Sequence, residues 1–199
     1  MAGWVGTRPA IVSLEALTLD GIWADMRTVG AALGLDEEAD RLVARLTGRV
    51  ASLRQETAAP DRRPRVGVLE WMSPLMAGGN WMPEVLDAAG CEPVWGDAGA
   101  HSPWLGPEDL AQADPDILLV IPCGYKIEAA VVEIGDLTGL DVWPDLSAVR
   151  GGRVFVADGN AYFNRPGPRM VESIEVLIDI VHGRGAGDSP AGEGWIRHI

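Results

Sequence analysis

The stretch that most constrains this chain is residues 65–90, RVGVLEWMSPLMAGGNWMPEVLDAAG. Its opening run, Val66-Gly67-Val68-Leu69-Glu70-Trp71, is apolar and β-branched enough for a buried strand. Its end, residues 83–89, sets Val85, Leu86 and Ala89 on one side at helical spacing. Residues 72–80 between them are rich in Pro and Gly and read as a loop. Strand, loop and helix in succession are the unit of α/β proteins, whose ligands bind outside the carboxyl ends of the strands. Trp71 and Trp81 stand at the two edges of this loop. An indole offers broad apolar area and one N–H donor. Either one alone would serve as well in a core; together, around a Pro/Gly loop, they point to a ligand wall.

The alternation continues downstream. Residues 92–95 suit a short strand, and residues 96–107 a loop holding His101 and Trp104. Pro107 reads as the first residue of a helix. Residues 116–121, DILLVI, have the unbroken apolar pattern of a strand covered on both faces. Pro122, Cys123, Gly124 and Tyr125 break it, and residues 127–134 read as helix. Residues 136–145 read as irregular, 146–150 as a turn of helix, 153–157 as a strand, 158–168 as a loop and 169–181 as a helix.

Upstream, residues 10–14 suit a short strand with no evident partner. Thr18 reads as a helix N-cap, Leu19, Ile22, Trp23, Met26, Val29 and Leu33 follow at helical spacing, and Gly34 ends the helix. Asp36, Glu37 and Glu38 open a second helix that runs to about residue 56. The expected fold is α/β. One three-layer lobe with a mostly parallel sheet spans residues 65–183, a long helical connector precedes it over 18–59, and a flexible tail follows over 184–199.

Composition narrows function by exclusion. A formal net charge of −13 over 199 residues argues against a nucleic-acid or anionic-membrane partner. No apolar run has the length of a transmembrane helix, and MAGWVGTRPA does not read as a signal peptide. Cys91 and Cys123 are too few for a disulfide framework and lack zinc spacing; two buried free thiols are expected, with one disulfide as the other option. No nucleophile elbow, zinc-protease pair, phosphate-binding loop or dinucleotide fingerprint occurs. His182 and His198 suit the surface, and His101 lies in a loop. Glu70 and Glu84 could form an acid pair, although Glu84 fits better as a solvated carboxylate in a first helical turn.

The richest candidate site is the loop 158–168, DGNAYFNRPGP. Asn160 supplies amide donors and acceptors, and Tyr162 and Phe163 supply flat apolar surface. Arg165 supplies a cation just ahead of a helix whose N-terminus favours anions. Together these suit a large, planar, partly polar ligand. The plainer reading is a turn in which both aromatics plug the core and Arg165 pairs with a surface acid. The loops at 72–80, 122–125 and 158–168 are expected to meet at one sheet edge.

Three phrases, RPRVGVLEWMSPLMAGGNWMPEVLDAAGCEPV, ADPDILLVIPCGY and LSAVRGGRVFVADGNAYFNRPGPRMVESIEVL, resemble the carboxyl-terminal lobe of cobalamin-binding proteins. These belong to the iron-siderophore/cobalamin class of ABC-transporter substrate-binding proteins. RPAIVSLEALTLDGIWADMRTVGAALGLDEEADRLVARL resembles the end of that class's first lobe and the helix joining its lobes. The likeness runs from Arg8 to His182. The phrases around Pro122-Cys123-Gly124 and 158–163 are specific to the cobalamin-type branch.

The resemblance implies two α/β lobes with a corrinoid between them, a membrane permease as partner, and a periplasmic or extracytoplasmic location. Most of the first lobe would lie outside this sequence, with residues 1–17 either its remnant or disordered. On this reading Trp71, Trp81, Tyr125, Tyr162 and Phe163 line the cleft. Asn80, Asn160 and Arg165 bond the ligand's polar edges, and Cys123 beside Gly124 is a point of close approach. Cobalamin or a related corrinoid is then the transported ligand, with no covalent cofactor, no protein metal site and no catalytic residue. A ferric siderophore or haem is the nearest alternative; a small α/β enzyme using Glu70 and His101 is the more distant one. A connector without its first lobe would expose apolar area and favour self-association.

Overall fold

The structure, a computed structural model, describes residues 10–58, 62–182 and 194–198. The expectations for residues 1–9, 59–61, 183–193 and 199 lie outside the described residues.

Helix α1 (Leu19–Leu33) starts where Thr18, in extended backbone, turns its hydroxyl oxygen to the Gly21 N–H at 3.0 Å. It ends at Gly34, whose φ of 69° costs glycine nothing in sterics. Helix α2 (Asp36–Glu56) opens with three acids at the positive end of its dipole. Leu19, Ile22 and Trp23 of α1 and Val43, Val50 and Leu53 of α2 are buried. Residues 10–17 form no strand, against expectation; no neighbouring strand completes their ladder, and Ile11 is left 91% exposed.

Strand β1 (Arg65–Met72) is followed by β2 (Leu75–Ala77), which returns antiparallel on it through Ser73 and Pro74. This corrects the plain loop expected over 72–80: Leu75 and Ala77 are apolar, and the hairpin buries them. Then come α3 (Met82–Ala88), β3 (Glu92–Pro93), α4 (Pro107–Ala113), β4 (Ile117–Val120), α5 (Ile127–Glu133), α6 (Gly135–Thr138), α7 (Ser147–Arg150), β5 (Val154–Ala157), α8 (Met170–His182) and β6 (Trp195–Arg197). The segment expected to be irregular after α5 instead holds α6 and a 3-10 turn, Trp143–Asp145, which carry Leu137 and Trp143 into the core.

The sheet runs β2-β1-β4-β5-β6, with β3 also on β1. Strands β3, β1, β4 and β5 are parallel; β2 and β6 join antiparallel. Strand β6 corrects the expectation of a wholly flexible tail. It pairs with β5, its Trp195 ring lies 5.6 Å from that of Phe155, and the Arg197 guanidinium stands 5.4 Å from the same ring.

Successive strand residues point to opposite faces. Val66, Val68, Ile117, Leu119, Phe155 and Ala157 therefore enter one core with α1, α2, α3 and α8. Leu69, Leu118, Val120, Val154 and Val156 enter a second core with α4, α5, α6 and α7. The result is the three-layer α/β arrangement with a mostly parallel sheet that the alternation predicts. Among the described residues no helix is long and apolar enough to cross a membrane.

Candidate functional site

Strands β1, β4 and β5 lie side by side in parallel, so the loops leaving their carboxyl ends emerge at one edge. Backbone bonds tie these loops together. The Cys123 N–H donates to the Glu70 carbonyl at 3.1 Å, joining the loop after β4 to β1. The Asn160 N–H donates to the Tyr125 carbonyl at 3.2 Å, joining the loop after β5 to the loop after β4. Gly159 sits so close beneath them that a Cβ there would lie 2.6 Å from the Pro122 carbonyl oxygen and 2.8 Å from that of Ile121. Residues Gly159–Phe163 wind as a π-helical turn, opened by Asp158, whose carboxylate accepts from the Ala161 N–H at 2.7 Å.

Two aromatics meet at this edge. The rings of Trp71 and Tyr125 are 5.7 Å apart and 75° inclined, an edge-to-face pair. The Trp71 indole N–H donates to the Ser73 carbonyl at 3.0 Å. Both rings are half-buried, and Cys123 and Gly124 beside them are exposed. Gly124 has a φ of 81°, a conformation few side chains tolerate.

The exposed Cys123 corrects the expectation of two buried thiols; only Cys91 is buried, and both are free. Burial pushes the Cys91 thiol up to about 12. Partial desolvation of its sulfur, with the Glu70 charge adding to it, pushes Cys123 up to about 11. Little thiolate forms at neutral pH in either case, which makes both poor nucleophiles and poor metal ligands.

Asn160 is half-buried, and its Oδ1 accepts from the Arg165 guanidinium at 2.8 Å. Arg169 donates to the Ala161 carbonyl at 3.3 Å. These groups, with Pro166 and Pro168, border a basin of about 540 Å³. Asn80 is half-buried in left-handed backbone with a φ of 52°; its N–H donates to the Ala100 carbonyl at 2.6 Å and its carbonyl accepts from Gly99 at 3.0 Å.

The remaining aromatics sit deeper than expected. Phe163 is fully buried, so its side chain does not face the edge; it shares a core with Met170 and Ile174 of α8. Trp81 and Tyr162 are half-buried against that same core. The Trp81 indole N–H donates to the Phe163 carbonyl at 3.1 Å.

The proposed acid pair is also separated by its bonding. Glu70 lies where the β1–β2 register shifts between Leu69 and Trp71, and it is buried. Its Oε2 accepts from the Ser102 hydroxyl at 2.6 Å, and the Ser102 Oγ accepts from the Gly79 N–H at 3.2 Å. Burial holds the Glu70 carboxyl above its ordinary range, while the Ser102 bond and the His101 charge pull the other way. His101 is exposed, its Nδ1 lying 2.9 Å from the Ser102 carbonyl oxygen. Glu84 is half-buried rather than solvated, because its carboxylate accepts from the Leu19 N–H at 2.7 Å, at the open start of α1. Sequence reasoning missed Ser102: nothing next to it along the chain marks it, and only the return of its loop brings it to Glu70. Among the described residues no group of three or more His, Cys, Asp or Glu side chains is placed to hold a metal ion.

A family model described as periplasmic binding protein matches residues 7–161. The chain belongs to the periplasmic binding protein family. The matched span takes in Trp71, Trp81, Tyr125 and Asn160 and stops just before Tyr162. No curated protein matches the chain.

Among solved structures, it is similar to an ABC transporter substrate-binding protein from Listeria monocytogenes EGD-e, with 21% identity and a TM-score of 0.74 over 84% of this chain and 66% of that one. It is similar to a periplasmic heme-binding protein from Roseiflexus sp. RS-1 in apo form, with 26% identity and a TM-score of 0.70 over 84% and 64%. It is also similar to an ABC-type Fe3+-hydroxamate transport system from Saccharomonospora viridis DSM 43017, with 25% identity and a TM-score of 0.68 over 84% and 57%. The chain thus spans less than two thirds of the length of each of these relatives.

Proposed function

We propose that this chain is a solute-binding protein, or the carboxyl-terminal half of one, that captures cobalamin or a related corrinoid for an ABC transporter. The observation that carries this reading is the meeting of three strand-end loops on one edge. There Trp71 and Tyr125 pair edge to face and Asn160 bridges toward Arg165. The aromatic pair would lie against a flat macrocycle, while Asn160, Arg165 and Asn80 would bond its polar rim. Cys123, kept as a neutral thiol, would allow close approach rather than ligate the central metal. Tyr162 and Trp81 would support the wall from behind. The protein would bind its solute without chemical change, outside the cytoplasm, and deliver it to a membrane permease.

A second reading, haem or a ferric siderophore, is favoured by the heme-binding relative from Roseiflexus and the hydroxamate-system relative from Saccharomonospora. Arg165 and Arg169 alone offer little charge to a multiply charged siderophore.

Titration with hydroxocobalamin, haemin and a ferric hydroxamate, followed by visible spectroscopy, tests both. Saturable binding of hydroxocobalamin is expected. Binding of haemin or the hydroxamate in its place would establish the second reading, and binding of none would overturn the solute-binding assignment.

Copies of the chain are expected to associate through an apolar groove of about 820 Å³, lined by Leu14, Met26, Val29, Leu33, Leu42 and Pro168 among others. Sedimentation as a clean monomer at high concentration would count against this.

A further inference from the structure

Residues 99–105 fold back across the β1–β2 hairpin, and a buried carboxyl lies under them. Backbone bonds hold both ends of this loop. At one end the Asn80 N–H donates to the Ala100 carbonyl and the Gly99 N–H to the Asn80 carbonyl. At the other the Ala77 N–H donates to the Pro103 carbonyl and the Leu105 N–H to the Leu75 carbonyl, each at 2.9 Å, with Met76 opposite Trp104 between them. The middle is held by side chains. The Ser102 hydroxyl donates to Glu70 Oε2 at 2.6 Å, and its oxygen accepts from the Gly79 N–H at 3.2 Å. Gly79 lets the two backbones touch, since a Cβ there would run into the Ser102 main chain.

The strand itself places Glu70. The β1–β2 register shifts between Leu69 and Trp71, leaving Glu70 without a partner on β2. A bulge of this kind re-aims the extra side chain. Glu70 is 6% exposed and Ser102 4%. Among the described residues no second donor reaches the carboxylate, and no Lys or Arg pairs with it. Its titratable neighbours are His101, on the loop, and Cys123, after β4. His101 favours the charged form of Glu70 while it carries charge itself. The Cys123 thiol stays neutral. Strands β2 and β4 flank β1 with no titratable side chain, and β3 meets it at the far end, at Arg65 and Val66.

A neutral carboxyl fits under the loop, because its carbonyl oxygen still accepts from Ser102. An ionised one is a buried charge with one strong bond, and burying such a charge is costly. Residues 99–105 are its removable cover; lifting them gives the carboxylate water. The docked loop therefore favours the proton. By linkage, docking is strongest below the ordinary carboxyl value of 4.5 and weakens as pH rises through the raised value of the docked state.

We propose that residues 99–105 are a pH-dependent flap, held on the β1–β2 hairpin while Glu70 is neutral and loosened as Glu70 ionises. The flap is a property of the free protein and stands apart from which solute is bound.

Amide hydrogen exchange, followed by mass spectrometry on the full chain without solute, tests this. Wild type and Glu70→Gln are compared at each pH from 4.5 upward, so that the intrinsic pH dependence of exchange cancels in their ratio. For peptides covering 99–105 the ratio of wild-type to variant exchange is expected to rise by up to about tenfold per pH unit, then level off above the docked value. A flat ratio overturns the proposal. The loop is also expected to exchange well ahead of β4 at every pH. Equal protection of the two would mean that the loop leaves only when the whole chain unfolds, and would overturn it as well. His101→Gln is expected to keep the rise; its loss there, with persistence in Glu70→Gln, assigns the switch to the histidine instead. If Glu70→Gln fails to fold, Ser102→Ala takes its place. Its loop is expected to exchange faster than wild type at pH 4.5, where the tie is whole, and equal rates there overturn the proposal. A chain that binds none of the three solutes leaves this test unaffected, so the flap and the solute-binding reading fail separately.

Discussion

The indole N–H of Trp81 donates to the backbone carbonyl of Phe163 at 3.1 Å, fastening the start of α3 to the turn that follows β5. Trp81 also packs on the core that buries Phe163. Trp81→Phe keeps most of the packing and removes the donor. It should cost about 1 kcal/mol, the net worth of an ordinary hydrogen bond. Trp81→Ala should cost about 3 kcal/mol, because a packed aromatic leaves a cavity. Urea unfolding of both variants checks this; equal stability of Trp81→Phe and wild type would mean the bond contributes nothing in solution.

Glu70 should make the protein less stable as pH rises. Burial holds its carboxyl above the ordinary 4.5. A carboxyl whose folded pKa exceeds its unfolded value takes up protons on folding. Its contribution is therefore full below the unfolded value and is lost as pH rises through the folded one. Glu70→Gln keeps an acceptor for Ser102 and carries no charge. The variant should melt higher than wild type near neutral pH, and the difference should close below pH 4.5. Thermal melts across that window measure it, and a constant difference at every pH would exclude the burial of this carboxylate as its cause.

The two thiols should label differently. Cys123 is exposed but held up at about 11, so a maleimide should modify it slowly at neutral pH and faster as pH rises. Cys91, buried and at about 12, should react only after unfolding. Mass spectrometry of native and denatured samples counts the adducts. A bound solute over Trp71 and Tyr125 should slow the labelling of Cys123, its neighbour at the edge.

Gly159 has no room for a methyl group. Its Cβ would lie 2.4 Å from the Asn164 Oδ1 and within 2.8 Å of two backbone carbonyl oxygens. The side chain can move, but the carbonyls are those of Ile121 and Pro122, the backbone that leaves β4. Gly159→Ala should therefore destabilise by about 1–3 kcal/mol, the usual cost of overpacking. It should also weaken ligand binding, because the same contact holds two of the edge loops together. Calorimetry and solute titration on one sample separate the two effects.

Much of the fold is legible in the sequence because its signals are local. Thr18 and Gly34 bound α1 through one side-chain bond and one left-handed residue, and both are readable within a turn of chain. DILLVI declares a doubly covered strand by its own composition. Trp71, Tyr125 and Asn160 could be placed at one edge because each lies at or just after the carboxyl end of a strand, and parallel neighbours share an edge. The features the sequence did not determine all depend on partners distant along the chain. Leu75–Ala77 is a strand because β1 and residues 103–105 lie on its two sides. Residues 195–197 are a strand because β5 leaves an edge for them. Tyr162 and Phe163 are adjacent and chemically alike, yet only Phe163 is fully buried, since the π-helical turn above α8 sets which of them points inward. Ser102 meets Glu70, and Trp104 meets Met76, only when the loop folds back across the hairpin. Local periodicity can specify a helix or a strand, but which side chains share a surface follows from strand order and register, which the packed chain alone establishes.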